Sequence, residues 1–140
     1  MKRVLALVML IAGNCNCYAH ECTQQDKAES LVDSLYTWSD ISTFQKTYAS
    51  CDEGSISEGV TESVVTLLSK KWSTVAELQA LINRNPMLEP WVLEHINTTA
   101  NDQDLESIVV SAQKKCPSDS QRLCKRIETA ASQALQELSE

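Results

Sequence analysis

The chain reads as an all-α domain, a compact bundle of six or seven short helices stapled by two disulfides. Three observations predict it. Apolar residues recur three and four apart through nearly all of residues 20–140. Side chains that cap helices stand where each apolar stripe begins. No alternating strand pattern, internal repeat or low-complexity tract competes.

Residues 1–19 form a separate element. Lys2 and Arg3 precede the unbroken apolar run Val4 to Ala12, which is too short to span a bilayer, and small Cys17 and Ala19 suit the subsites of a signal peptidase. The expectation is a secretory signal cleaved after Ala19 and a single domain over residues 20–140. A lipidated Cys15 is the rival reading; Asn14 stands where such a site wants a small residue. The location that follows is the bacterial periplasm or the medium, with no membrane insertion after cleavage.

Thr23 opens the first helix, whose stripe is Ala28, Leu31, Val32, Leu35 and Trp38. Ser39 or Asp40 caps a short second helix carrying Ile41, Phe44 and Tyr48 and ending near Cys51 and Gly54. Ser55 and Glu58 have capping-box spacing and open a third, with Ile56, Val60, Val64, Leu67 and Leu68 inward and Trp72 at its close. Thr74 and Glu77 repeat the signal before Val75, Leu78, Leu81 and Ile82. Pro86 to Glu89 is a turn or brief helix leading into Pro90 to Ile96, because proline suits a first helical turn. Asn97 to Asp102 connects to a sixth helix bearing Leu105, Ile108, Val109, Ala112 and Cys116. Pro117 stops it. Ser118 and Gln121 then open a final helix with Leu123, Cys124, Ile127, Ala131, Leu135 and Leu138 on one side.

Removing 19 of the 140 residues leaves 121, enough for one core, and takes away Lys2, Arg3, Cys15 and Cys17. Four cysteines in an oxidising compartment form two bridges, and Cys22 with Cys51 and Cys116 with Cys124 is the preferred of three pairings because each ties neighbouring helices. In the loop-entropy model these closures are worth about 3.5 and about 2.5 kcal/mol. Close CxxC pairs are absent, which disfavours zinc, and no metal or other cofactor is expected.

Charge narrows the partner. Ten bases remain against 19 acids, net −9, so a nucleic-acid ligand is not expected. Residues 20–62 alone hold nine acids against Lys27 and Lys46, net −7. A solvated surface explains such a field, and so does steering toward a basic protein. Asp52, Glu53, Glu58 and Glu62 are the candidate partner-binding residues, with Glu58 and Glu62 on one helix face by their spacing. Asp52, Glu53 and Glu58 are also favourable near a helix N-terminus. An EF-hand is excluded, since Gly54 at loop position six puts Ala49 and Val60 at the obligatory carboxylate positions.

Catalytic chemistry has few candidates. His20 and His95 are the only histidines, no nucleophile elbow, phosphate loop or HExxH appears, and adjacent Glu94 and His95 project about 100° apart on a helix. His95 reads as structural or surface. A copper site at a freed His20 amine would need His95 to reach it. Trp38, Trp72 and Trp91 read as core. Asn97-Thr98-Thr99 is a formal glycosylation sequon.

The block Cys51 to Gly59, the run Ser63 to Leu68 before Trp72, the group Val92, Leu93, His95 and Ile96, and Cys116-Pro117 before Leu123-Cys124 together resemble a family of small exported proteobacterial proteins. That resemblance covers roughly residues 40–130 and implies a shared fold without implying an activity. In general build the chain is also similar to periplasmic immunity proteins of type VI secretion systems. The expected function is a non-enzymatic protein-binding module, an immunity or inhibitor protein acting through its acidic N-terminal third. The alternatives are a small periplasmic chaperone or envelope-stress factor and a carboxylate-based hydrolase.

Overall fold

The computed structural model describes residues 21–140; the leader, Cys15, Cys17 and His20 lie outside the described residues. Among the described residues seven α-helices make an all-α fold: α1 (Gln25–Val32), α2 (Trp38–Tyr48), α3 (Gly54–Lys70), α4 (Val75–Arg84), α5 (Leu88–Glu94), α6 (Asp102–Lys114) and α7 (Gln121–Leu138). Short 3-10 turns at Ala49–Cys51, Trp72–Thr74 and Ser118–Ser120 lead into or out of them.

α6 and α7 pack along each other as a hairpin, α3 lies on α6, and α1 lies on the outside of α3. α2 and α4 pack together, and α5 fits against α7. The core is continuous. Its fully buried large side chains include Trp38, Ile41, Ile56, Leu68, Leu78, Leu88, Leu105, Ile108, Leu123 and Ile127, drawn from six helices. α3 supplies the most central face, burying Ile56, Val60, Thr61, Val64, Val65, Leu67 and Leu68. None of the described helices is long and apolar enough to cross a membrane.

Both expected disulfides form. Cys22–Cys51 fastens the chain ahead of α1 to the turn before α3, and Cys116–Cys124 closes the connection between α6 and α7. Gly54 begins α3 at a φ of 55°, a left-handed conformation that a side chain would strain.

Several helix starts differ from the sequence reading. The first stripe is broken: α1 ends at Val32, and Trp38 belongs to α2, leaving Leu31 partly exposed. α2 is capped by Thr37, whose hydroxyl accepts from the Asp40 N–H while the Asp40 carboxylate accepts from the Thr37 N–H at 2.9 Å. The three expected boxes do not form. α3 starts one residue before Ser55, Thr74 closes a 3-10 turn, and Ser118 begins another. Ser55 and Ser118 thereby sit at the wrong register to cap, while Thr74 holds the N-cap position of α4 with its hydroxyl donating to the Lys71 carbonyl instead. α5 starts at Leu88, with Pro90 in its first turn, and α6 is capped by Asn101, which accepts from the Asp104 N–H.

Candidate functional site

Two features of α3 stand out, one facing inward and one outward. Inward, Thr61 meets His95 at the C-terminal end of α5. The Thr61 hydroxyl lies 3.0 Å from His95 Nδ1, and His95 Nε2 lies 2.9 Å from Asp52 Oδ2. A carboxylate only accepts, so Nε2 carries a proton, and in the neutral ring Nδ1 accepts from Thr61. Asn97 Nδ2 in turn donates to Thr61 Oγ1 at 3.4 Å and to the Glu94 carbonyl at 2.9 Å. The amide of the sequon is thus committed to internal hydrogen bonds.

This chain has the connectivity of an acyl-transfer relay, but its would-be nucleophile is 2 % exposed and the histidine is buried, edge-on to the Trp91 ring at 4.6 Å between centroids. What the arrangement does is lock four segments together: the turn before α3, α3 itself, the end of α5 and the loop after it. Asp52 Oδ1 is buried without a hydrogen-bond partner, as are Ser69 Oγ and Trp91 Nε1 among the described residues.

Outward, α3 floors a groove. One hollow of about 280 Å³ is walled by Val32, Leu35 and Tyr36 from α1 and its following loop, and by Ser63, Thr66 and Leu67 from α3. A second, of about 570 Å³, lies between α3 and the segment Thr99 to Asn101 that enters α6. Asp33, Gly59, Glu62 and Thr66 line both, so the hollows run into one channel. Gly59 makes the channel narrow. A Cβ there would stand 2.8 Å from Val32 Cγ2, so α1 approaches α3 at a distance only glycine allows.

The candidate residues separate along these two features. Glu58 and Glu62 are exposed, one turn apart, and line the groove. Asp52 is turned inward to His95, its side chain 13 % exposed, and Glu53 stands exposed at the N-cap position of α3; neither lines the groove. Asp33, at the end of α1, joins Glu58 and Glu62. No signal within its own helix could have found it, because its place depends on how α1 packs on α3. None of the three carboxylates takes part in an ion pair among the described residues. Asp104, the fourth acid lining the groove, is held by Lys70; that hydrogen bond keeps its carboxyl below the ordinary aspartate range. Tyr36 projects at the rim, 67 % exposed.

Away from the residues that line the groove, Glu89 is buried and receives hydrogen bonds from Arg122 and Arg126 of α7, the first at 2.8 Å. The buried carboxylate is therefore neutralised by two cations one helical turn apart. Its role is to join α5 to α7. Among the described residues no three side chains of histidine, cysteine, aspartate or glutamate gather where they could hold a metal.

Fold and groove together define a small, cystine-stapled, all-α domain with an open acidic channel. Comparison with protein-family models, with curated proteins and with solved structures finds no match to this chain.

Proposed function

We propose that the protein is an exported, non-enzymatic binding module that neutralises a basic protein partner, as an immunity or inhibitor protein does, and that the groove along α3 is where the partner docks. The observation that carries this is the row of carboxylates on Asp33, Glu58 and Glu62, none of them in an ion pair among the described residues although Lys71 also lines the groove, whereas Glu89 and the neighbouring Asp104 are each neutralised by a cation. Unpaired charge beside a concave surface attracts an oppositely charged partner and accelerates its encounter. Tyr36 at the rim supplies the kind of rigid aromatic that concentrates binding energy in interfaces. Two disulfides fit an oxidising compartment, which supports a periplasmic or secreted location.

The test is binding to a basic envelope protein at two ionic strengths. Changing Asp33, Glu58 and Glu62 together to their amides should slow association roughly tenfold or more at low salt, with the difference shrinking as salt rises. Asp52→Asn, which alters the buried chain and not the groove, should leave the salt dependence intact. Association indifferent to salt and to all three amides would remove the groove as the docking surface.

A further inference from the structure

We infer that the Cys22–Cys51 disulfide controls whether this groove exists, because it holds in place the strap that forms one of the groove's walls; the inference rests on the docking reading above. Val32, Asp33, Leu35 and Tyr36 all belong to α1 or the loop after it, so one wall of the channel stands only while α1 is docked on α3.

Little else secures that wall. α1 has eight residues and no side-chain N-cap, and it buries Ala28 and Val32, with Leu35 following in the loop. A helix of that length is not stable alone in water. The strap is pinned at both ends: by the core packing of Trp38, 1 % exposed, at its C-terminal side, and by the disulfide, with Cα atoms 4.7 Å apart, at its N-terminal side. Opening the bridge leaves one pin, and the conformational entropy recovered by the free end opposes redocking. The second disulfide differs in kind. Cys116–Cys124 closes a separation of eight residues between two helices that already pack along each other, so its loss leaves their interface standing.

The bridge is also reachable. Cys51 is buried, but Cys22 is half-buried and lines a surface hollow with Thr23 to Lys27. A dithiol attacks the Cys22 sulfur and the Cys51 thiolate leaves. The second thiol of the reductant then displaces Cys22 from the mixed disulfide. The protein gains two electrons and two protons, and the dithiol departs as its cyclic disulfide.

Amide hydrogen exchange and titration with an oligolysine peptide, both on the full exported chain, test the inference. In Cys22→Ser/Cys51→Ser, exchange of the α1 amides should accelerate roughly tenfold or more while α3, α6 and α7 keep their protection, and oligolysine should bind several-fold more weakly. Cys116→Ser/Cys124→Ser should leave α1 protection and oligolysine affinity at the wild-type level. Dithiol reduction of the wild type, with mass spectrometry to identify the opened bridge, gives the same reading without substitution. Unchanged α1 protection with Cys22–Cys51 open overturns the strap. Faster α1 exchange with undiminished oligolysine affinity overturns its link to the groove. Failure of the oxidised wild type to bind oligolysine at low salt overturns the docking reading itself, and is distinct because α1 exchange is measured independently.

Discussion

His95 and Asp52 stand 43 residues apart in the chain and meet through Nε2 and Oδ2 at 2.9 Å, joining the end of α5 to the turn that opens α3. The histidine side chain is 3 % exposed, so its ring has no access to water as a substitute partner. Asp52→Ala should therefore destabilise the fold by about 1–3 kcal/mol, the cost of stranding a buried donor. Glu53→Ala, at the exposed neighbouring position, should change stability by less than about 0.5 kcal/mol. Urea midpoints of the two variants check this; equal values would show that the hydrogen bond contributes nothing.

Glu89 and its two arginines predict an order of severity. Arg122 and Arg126 side chains are 73 % and 45 % exposed and regain water when the carboxylate is removed, whereas Glu89, 5 % exposed, does not when the arginines are removed. Arg122→Ala/Arg126→Ala should cost about 3–5 kcal/mol by leaving a buried, unpaired charge, and Glu89→Gln should cost less. Thermal unfolding of both proteins would show the reverse order if the pair did not neutralise a buried charge.

Gly59→Ala sets a helix gain against a clash. Alanine should strengthen α3 by up to about 1 kcal/mol, but its Cβ would stand 2.8 Å from Val32 Cγ2 and must push α1 outward. The expected result is global stability within about 1 kcal/mol of wild type together with faster amide exchange confined to α1. Unchanged α1 exchange would mean that the helix pair has slack the structure does not show.

Asp104 gives stability a specific pH dependence. Its folded pKa lies below the usual 3.8, first because of the hydrogen bond from Lys70 and secondarily through Asn101. A depressed carboxyl pKa stabilises the fold above the unfolded value, and that contribution is lost as pH falls through the folded one. Wild type should thus lose more stability than Asp104→Asn as pH drops below about 4. Parallel denaturation profiles of the two proteins across that range would contradict the assignment.

The all-α build was legible because periodicity survives without knowledge of tertiary structure, and the Cys116–Cys124 pairing because α6 and α7, neighbours in sequence, pack along each other; Cys22–Cys51 also formed as expected, but it joins the segment ahead of α1 to the turn after α2 while α1 itself packs on α3. Helix starts were less so. Ser55 and Glu58 have the spacing of a box, yet the left-handed turn at Gly54 starts the helix before the serine. Thr74 has its hydroxyl engaged elsewhere, donating to the Lys71 carbonyl and accepting from Trp38 Nε1. The Thr37–Asp40 box was hidden because Leu35 and Trp38 extend the preceding stripe with helical spacing across what is in fact a turn. For the groove, Glu58 and Glu62 followed from one helix face alone. Asp33 did not, and neither did the partnership of Asp52, Thr61 and His95, since each depends on which helices become neighbours. Arg122 and Arg126, spaced four apart beside an apolar stripe, were the available hint that a buried acid awaited them.

The three indoles occupy three different seams. Trp38 Nε1 donates to Thr74 Oγ1 at 2.9 Å, Trp72 Nε1 donates to the Lys115 carbonyl at 2.9 Å, and Trp91 Nε1 is unpartnered beside His95. The molecule therefore carries its own fluorophores at the α2–α4 junction, at the join between the ends of α3 and α6, and next to the buried imidazole. Single-tryptophan versions would let an optical signal say which junction parts first when the protein is heated or pulled.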